Sequence, residues 1–254
     1  KLRLNLGLRY DFYTFRNISD NPENSGQDSD GIGSAKINLI YDVNENIELY
    51  AGVGQGFHSN DARGVTIKVD PSSLADVDDV NPLVRTWGAE TGVRYFDPGN
   101  FNASLGLWYM ESDSELLFVG DAGTTEASRS SRRYGLEMAT VYWINENWIL
   151  DFESTLTDSR FTESEAGEGR HIEGSLPFTA SAGTNYQQDK FYTALRMRHF
   201  GKRPLDSNSD IKSDPATVFN WHAGYRWEDW ELKFSVLNLF DSKDNDVEYL
   251  YESR

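Results

Sequence analysis

The chain has 254 residues, a formal net charge of -17 and no Cys, with 38% hydrophobic and 13% aromatic residues. The length fits one large domain or two small ones, and the lack of Cys excludes a disulfide framework and a thiolate metal site. The acidic balance argues against nucleic acid or an anionic membrane surface as partner, because both attract basic patches.

From the start, apolar residues alternate. Leu2, Leu4, Leu6, Leu8, Tyr10 and Phe12 share one face, and Lys1, Arg3, Asn5, Gly7, Arg9 and Asp11 share the other. A period of two over that length specifies a strand. Because the pattern is under way at Lys1 with no Met before it, the chain reads as a fragment or a mature piece. Ile37, Leu39 and Tyr41 continue it. In IELYAGVGQGF, Ile47, Leu49, Ala51 and Val53 form an apolar row opposite Glu48, Tyr50, Gly52, Gly54 and Gly56. Trp87, Ala89, Val93 and Tyr95 follow, opposite Thr86, Gly88, Glu90, Gly92 and Arg94. Further rows begin at Phe101, Tyr134, Trp148, Phe219 and Trp230, giving about eleven strands and no stretch of helical period. No run approaches the roughly 20 apolar residues of a membrane helix, a test that membrane barrels escape because they alternate lipid-facing and lumen-facing residues.

The connections alternate too. Asn44-Glu45-Asn46, Asp97 to Asn100, Asn145-Glu146-Asn147, Gln188 to Lys190 and Glu228-Asp229 carry tight-turn chemistry. Long polar stretches fall near 16–33, 58–83, 120–130, 164–175 and 201–214. YDVNENIELYAG and YWINENWILDFE repeat one hairpin solution around Asn-Glu-Asn. Aromatics gather at the tight-turn end: Tyr41, Tyr95, Phe96, Phe101, Trp143, Trp148, Trp227 and Trp230. Rings at one rim, long strands and unlike ends predict an all-β, antiparallel up-and-down transmembrane β-barrel rather than a soluble sandwich.

Glycine rows on neighbouring strands predict cleared space in the lumen for a plug or a ligand. A dinucleotide fingerprint is rejected, because no helix is expected after Gly56 to offer its amides to phosphate. The four His show no HExxH spacing, and there is no G-x-S-x-G elbow. The Asp-rich loops 20–30 and 70–79 offer oxygen ligands for Ca²⁺ but lack EF-hand spacing, so solvated loops are the preferred reading. Inward charges (Arg3, Arg9, Glu48, Glu90, Arg94, Arg196, Arg198, Glu231, Lys233) fit a lumen that is wet or pressed against a polar plug.

VLNLFD at Val236 to Asp241 resembles the penultimate-strand signature of TonB-dependent outer-membrane receptors. YAGVGQGFHSNDARG, LVRTWGAETGVRY and SRRYGLEMATVYW support this, the last resembling the family's R-x-x-G-x-E strand through Arg132, Gly135 and Glu137. The resemblance covers nearly all of 1–254 and implies the C-terminal half of one 22-stranded barrel domain, with the N-terminal plug and the last strand outside this chain. It implies a multi-pass protein of the Gram-negative outer membrane for uptake of a scarce nutrient, such as a ferric siderophore, haem or cobalamin. Uptake would be driven by the TonB energy-coupling complex acting through the plug, with no catalysis and no resident cofactor. His58, Asn60, Asp61, Arg63 and Arg85 are then expected at the outer mouth, the alternative being that Asp61 and Arg63 merely pin the loop. Gly52, Gly54, Gly56, Glu90, Arg94, Glu137, Arg196 and Arg198 are expected to face lumen and plug. A passive porin and, less so, a barrel enzyme are the competing functions.

Overall fold

A computed structural model of the chain describes residues 1–70, 74–119, 124–127, 129–164, 167–245, 248 and 250, with backbone alone for 116–119 and 124–127. The strands in chain order are β1 (Leu2–Asn17), β2 (Gly26–Asp42), β3 (Ile47–Ser59), β4 (Leu83–Asp97), β5 (Phe101–Ser112), β6 (Leu116–Val119) and β7 (Thr124–Ala127). They continue with β8 (Ser131–Trp143), β9 (Trp148–Phe161), β10 (Phe178–Gln188), β11 (Phe191–Phe200), β12 (Ala216–Arg226) and β13 (Glu231–Val236). Eleven of them form one antiparallel up-and-down sheet in sequence order, open, with β1 and β13 at its edges; β6 and β7 form a separate hairpin.

The register places the apolar residues in continuous cross-strand rows. One row runs Leu4, Leu39, Ala51 and Thr91, then Leu107, Leu136, Leu156 and Phe178. Mid-sheet, Leu107 and Leu156 remain 57% and 51% exposed, and among the described residues only ten hydrophobic side chains are buried. A soluble domain of this size buries a large interior; this sheet instead presents its apolar face outward, as a protein does whose solvent on that side is hydrocarbon.

Two aromatic belts bound that face. Near the tight turns, Tyr95, Phe101 and Tyr142 stand in file with centroids 6.0 and 6.4 Å apart, and Trp148, Tyr186 and Phe191 follow at 4.7 and 6.3 Å. Trp87 and Tyr109, 5.8 Å apart, begin the second belt, with Tyr134 opposite Tyr109. Phe96 and Trp143, expected in the first belt, fall on the polar row, opposite Asn102 and Ile149.

Tight turns and long loops alternate as expected, with different bounds. The first long loop covers only 18–25, because β1 and β2 pair through to Asn17 and Gly26 and absorb the rest of 16–33. The β6–β7 hairpin occupies part of the 113–130 connection. The two Asn-Glu-Asn turns are built alike. Asn44 Oδ1 accepts from the amides of Asn46 (2.9 Å) and Ile47 (2.8 Å), and Asn145 Oδ1 accepts from those of Asn147 (2.9 Å) and Trp148 (3.0 Å). Asn46 and Asn147 then donate to the carbonyls of Phe96 (2.9 Å) and Gln187 (2.6 Å), tying each turn to the next hairpin. At the other end, β13 stops at Val236 and does not run to Phe240. Asn238 adopts φ 51°, and its side chain bonds both backbone groups of Ser242, so the NLFD segment turns.

Beyond Lys36 and Gly54, β2 leaves β3, and the distal β1–β2 hairpin forms a small interior with the 60–82 loop. Phe15, Ile32, Val65 and Leu83 are buried together, with Phe57, Ala62 and Val80 against them. A one-turn helix, α1 (Ala62–Val65), is capped by Asp61. Buried Asn24 locks the two loops. Its Nδ2 donates to Val69 O at 2.8 Å, and its Oδ1 accepts from the amides of Lys68 (2.9 Å) and Val69 (3.0 Å).

Candidate functional site

The polar face has two zones. Towards the tight turns, charges and rings lie flat over glycines. Arg94 pairs with Glu48 at 2.7 Å and sits 4.2 Å over the Tyr50 ring, and Arg3, two strands away on β1, also reaches Glu48. Tyr50 in turn lies over Gly92 and Gly106, where any Cβ would come within 2.7 Å of it. On β9 to β11, Arg196 grips Asp151 with two bonds (2.9 and 3.0 Å) directly over Gly183. On β11 to β13, Tyr192 covers Gly224, donates to Glu231 at 2.9 Å and carries Arg226 4.6 Å above its ring. Each glycine lets a side chain from the next strand or the next but one cross at van der Waals distance.

This changes the meaning of the glycine rows. Gly52, Gly54 and Gly56 do lie on the polar row, opposite Glu90, Gly88 and Thr86. Gly52, however, is crossed by Asn38 and Glu90, and Gly92 by Tyr50, so those two seats are filled by the sheet itself. Gly54 and Gly88, paired directly, and Gly56, with nothing within 4 Å, line an open depression of about 430 Å³ beside Lys36 and Trp108. Glu137 stands exposed opposite Gly106, and Arg198 lies on the same face opposite Ser181.

The second zone lies at the loop end. Gly56, Thr86, Ser112 and Ser131 form a cross-strand row through β3, β4, β5 and β8. Thr86 and Ser112 hydroxyls are 3.1 Å apart, and Ser112 donates to Ser114 O at 2.8 Å. Glu115, just past β5, accepts from the Ser131 hydroxyl and from Arg133 Nη2 (2.8 Å), while Arg133 Nε is buried without a partner. His58, two places along β3 from Gly56, has a buried Nε2 with no partner and lies within the field of Glu115. Donors and acceptors from four strands thus converge on one wall, with unmet hydrogen-bonding capacity at His58 and Arg133. Glu115 and Ser131 are hydrogen-bonded to each other, whereas His58 Nε2 bonds no hydroxyl. Among the described residues no three His, Asp or Glu side chains gather as metal ligands, the Asp-rich stretches included; 71–73 lie outside the described residues.

Of the five residues expected at the mouth, the structure joins two. Arg63 donates to Asp61 at 3.0 Å through two nitrogens, and this bond holds the Asp61 carboxyl below the usual carboxylate range; the pair also caps α1. Asn60 is buried and closes the loop base, donating to Asn81 O (2.7 Å) while its amide bonds Pro82 O (3.0 Å). Arg85 lies on the opposite row from His58, beside Phe57, and donates to Gly33 O at 2.8 Å. His58 alone of the five lines the polar wall. Spacing does not single out Glu115, Ser131 and Arg133, because Glu115 comes from a connection with no period and only the fold brings it to β8.

The comparisons with known proteins agree with this architecture. No curated protein matches the sequence. Among solved structures, the ferric yersiniabactin uptake receptor FyuA from Yersinia pestis superposes with a TM-score of 0.78 at 17% identity, over 99% of this chain and 40% of that one. The copper transporter OprC gives 0.76 at 20% identity, over 96% of this chain and 41% of that one. The ferric citrate transporter FecA gives 0.71 at 17% identity, over 95% and 38%. At such identities the likeness is one of fold, and the chain spans about two fifths of each structure. The model of the TonB dependent receptor-like β-barrel matches residues 1–239. The chain belongs to that family.

Proposed function

We propose that this chain forms part of the wall of an outer-membrane receptor that takes up a scarce nutrient, with the polar face lining the lumen and the apolar face meeting lipid. The family match over 1–239 is the observation that carries this reading. It also favours a receptor over a barrel enzyme, the family being one of receptors and transporters. Energy coupling through a plug and the TonB complex, and a metal chelate as cargo, are the finer parts of the proposal. The family match supports the coupling, and the likeness to FyuA, a ferric yersiniabactin uptake receptor, to the copper transporter OprC and to the ferric citrate transporter FecA supports the cargo.

Within this wall, His58 and Arg133 are the ligand contacts we favour, because each carries a buried nitrogen without a partner. Asp61, Arg63 and Asn60 shape the loop that frames them. The test is uptake by the full-length protein in liposomes, with and without an energised coupling complex, over ferric siderophores, haem, cobalamin and oligosaccharides. Saturable uptake of one compound only with the complex is expected, and His58→Ala should weaken its binding about tenfold, the value of one charged or well-placed hydrogen bond. Non-saturable leakage of all small solutes would make the protein a porin.

A further inference from the structure

Two paired ribbons, β1–β2 and β3–β4, part company halfway up the wall. β2 stays paired with β1 as far as Gly26, and β3 with β4 as far as Ser59, but β2 and β3 pair only between Lys36 and Asp42. Above Lys36 and Gly54 the contacts between the ribbons are of another kind. Arg85, on the outward row of β4, reaches past β3 to the carbonyl of Gly33 at 2.8 Å, and the rings of Tyr13 and Phe57 meet 5.8 Å apart. Between that bond and the Lys36–Gly54 pair runs a seam along which β2 and β3 share no ladder.

A hollow lies on each side of the seam. The one on the lipid side, about 530 Å³, is apolar, with Leu6, Leu8, Ala35, Ile37, Val53 and Trp87 in its lining. The one on the lumen side is the glycine depression of about 430 Å³, where Lys36, Asn38, Glu90 and Trp108 supply polar groups. The Trp108 indole N–H is buried there with no acceptor. Lys36, Val53, Gly54, Gln55 and Trp87 belong to both linings, so the two hollows meet the same strip of chain from opposite sides. Gly54, Gly56 and Gly88 bring no side chain to thicken it on the lumen face.

The height of the seam selects what can use it. Ile37 and Val53 stand on the row that runs through Ala89 to Tyr109, and Trp87 is the neighbour of Tyr109 in the second aromatic belt. Such a belt marks the boundary between hydrocarbon and headgroups, which is where the head and tail of an amphiphile join. An alkyl chain drawn down a polar lumen would lose its apolar surroundings one methylene after another. At this seam it keeps them while the head enters the lumen.

We propose that the seam between β2 and β3 is a lateral portal for an amphiphilic cargo, whose alkyl tail lies in the outer groove while its polar head occupies the glycine depression. This deepens the uptake function by naming the cargo class, a polar head on a single alkyl chain, and it rests on that reading and on the apolar face meeting lipid. A metal chelate fits the class when it carries such a chain.

The test uses the full-length protein in phosphatidylcholine vesicles, with a bimane fluorophore on one introduced Cys. The probe is doxyl-labelled stearic acid, a single-chain amphiphile whose nitroxide quenches bimane on contact. Leu105→Cys reports the lipid face, and Ser104→Cys reports the polar face away from the seam. Gly56→Cys, where nothing lies within 4 Å of an added Cβ, reports the depression, and Thr86→Cys, opposite Gly56, is a second label position there. Quenching in the depression should approach that at Leu105→Cys and stand well above that at Ser104→Cys. Adding Ala35→Phe, which fills the outer groove, should cut it roughly twofold or more without changing Leu105→Cys. Quenching at both depression labels no greater than at Ser104→Cys would overturn the portal. So would quenching that Ala35→Phe leaves intact, since the probe would then arrive through the lumen. No quenching at Leu105→Cys would overturn the lipid-facing reading, and the portal with it. A porin-like leak in the uptake assay would remove the receptor and leave the quenching pattern as it is, so the two failures are read separately.

Discussion

A single missing Cβ decides what can cross the polar face. At Gly92 a Cβ would lie 2.4 Å from the carbonyl of Leu105, and at Gly135 it would lie 2.4 Å from that of Leu156 and 2.8 Å from the Trp108 ring. Backbone oxygens in a paired ladder cannot retreat without loss of register. At Gly56 nothing lies within 4 Å. Gly92→Ala and Gly135→Ala should therefore each destabilise the full-length protein by about 1–3 kcal/mol. Gly56→Ala should be neutral or stabilise by about 0.5 kcal/mol, through the lower entropy of the unfolded chain. Denaturant midpoints in detergent give the comparison, and an equal effect at the three positions would refute the seating of rings over glycine. The sequence displays these glycines as one undifferentiated row. Their alternation with apolar residues places them on the polar face, but whether a ring or empty space lies above each depends on the side chain the neighbouring strand sets there, Tyr50 over Gly92 and Trp108 over Gly135.

At the level of elements, the strands were legible because each repeats one two-residue rule, while the loops follow no rule that spacing can reveal. Asn24 illustrates the difference. In the sequence it is one polar residue among many, and in the fold it supplies three bonds to the backbone of 68–69. Ile32 falls within the 16–33 stretch that reads as loop, with Phe15 just before it, yet they belong to β2 and β1 and form the interior that carries α1. Asp206 performs a similar task in the 201–215 loop. Burial would raise its pKa, but the amides of Ile211 (2.7 Å), Asp210 (3.3 Å) and Asn208 (3.2 Å) outweigh that and hold it below the ordinary carboxylate value. A depressed folded pKa gives stability that is complete above the unfolded value, about 3.9, and is lost as pH falls through the folded value. Hydrogen exchange at Asn208, Asp210 and Ile211 should accelerate below about pH 3.9 relative to β10 and β11. Asp206→Asn should show the fast rate already at neutral pH, and an unchanged rate would remove Asp206 as the organiser of the loop.

For the molecule as a whole, composition and arrangement give different answers. A net charge of -17 argues against an anionic surface as partner, yet the fold gathers Arg160, Lys202 and Lys212 around one cavity at the loop end. Charge totals average over both faces and both ends, and the register separates them. The same separation explains why a chain with only ten buried hydrophobic residues among those described can have a stable fold: its apolar face requires a bilayer, and its polar face is crossed by ion pairs such as Arg3–Glu48 and Arg196–Asp151. The wall formed by His58, Glu115, Ser131 and Arg133 exists only at this scale, since it draws on two strands and a connection that the sequence keeps up to 75 positions apart.

The central claim is that the two faces of this sheet meet different solvents. It is tested most directly by nitroxide labels placed one at a time through Cys substitutions at Asn102, Ala103, Ser104 and Leu105 of β5, in the full-length protein in liposomes. This stretch has no native Cys to interfere. Collision rates with oxygen, which concentrates in lipid, should be high at Ala103 and Leu105 and low at Asn102 and Ser104, a period of two that follows the register. Uniform rates along the strand, or high water accessibility at Leu105, would contradict it.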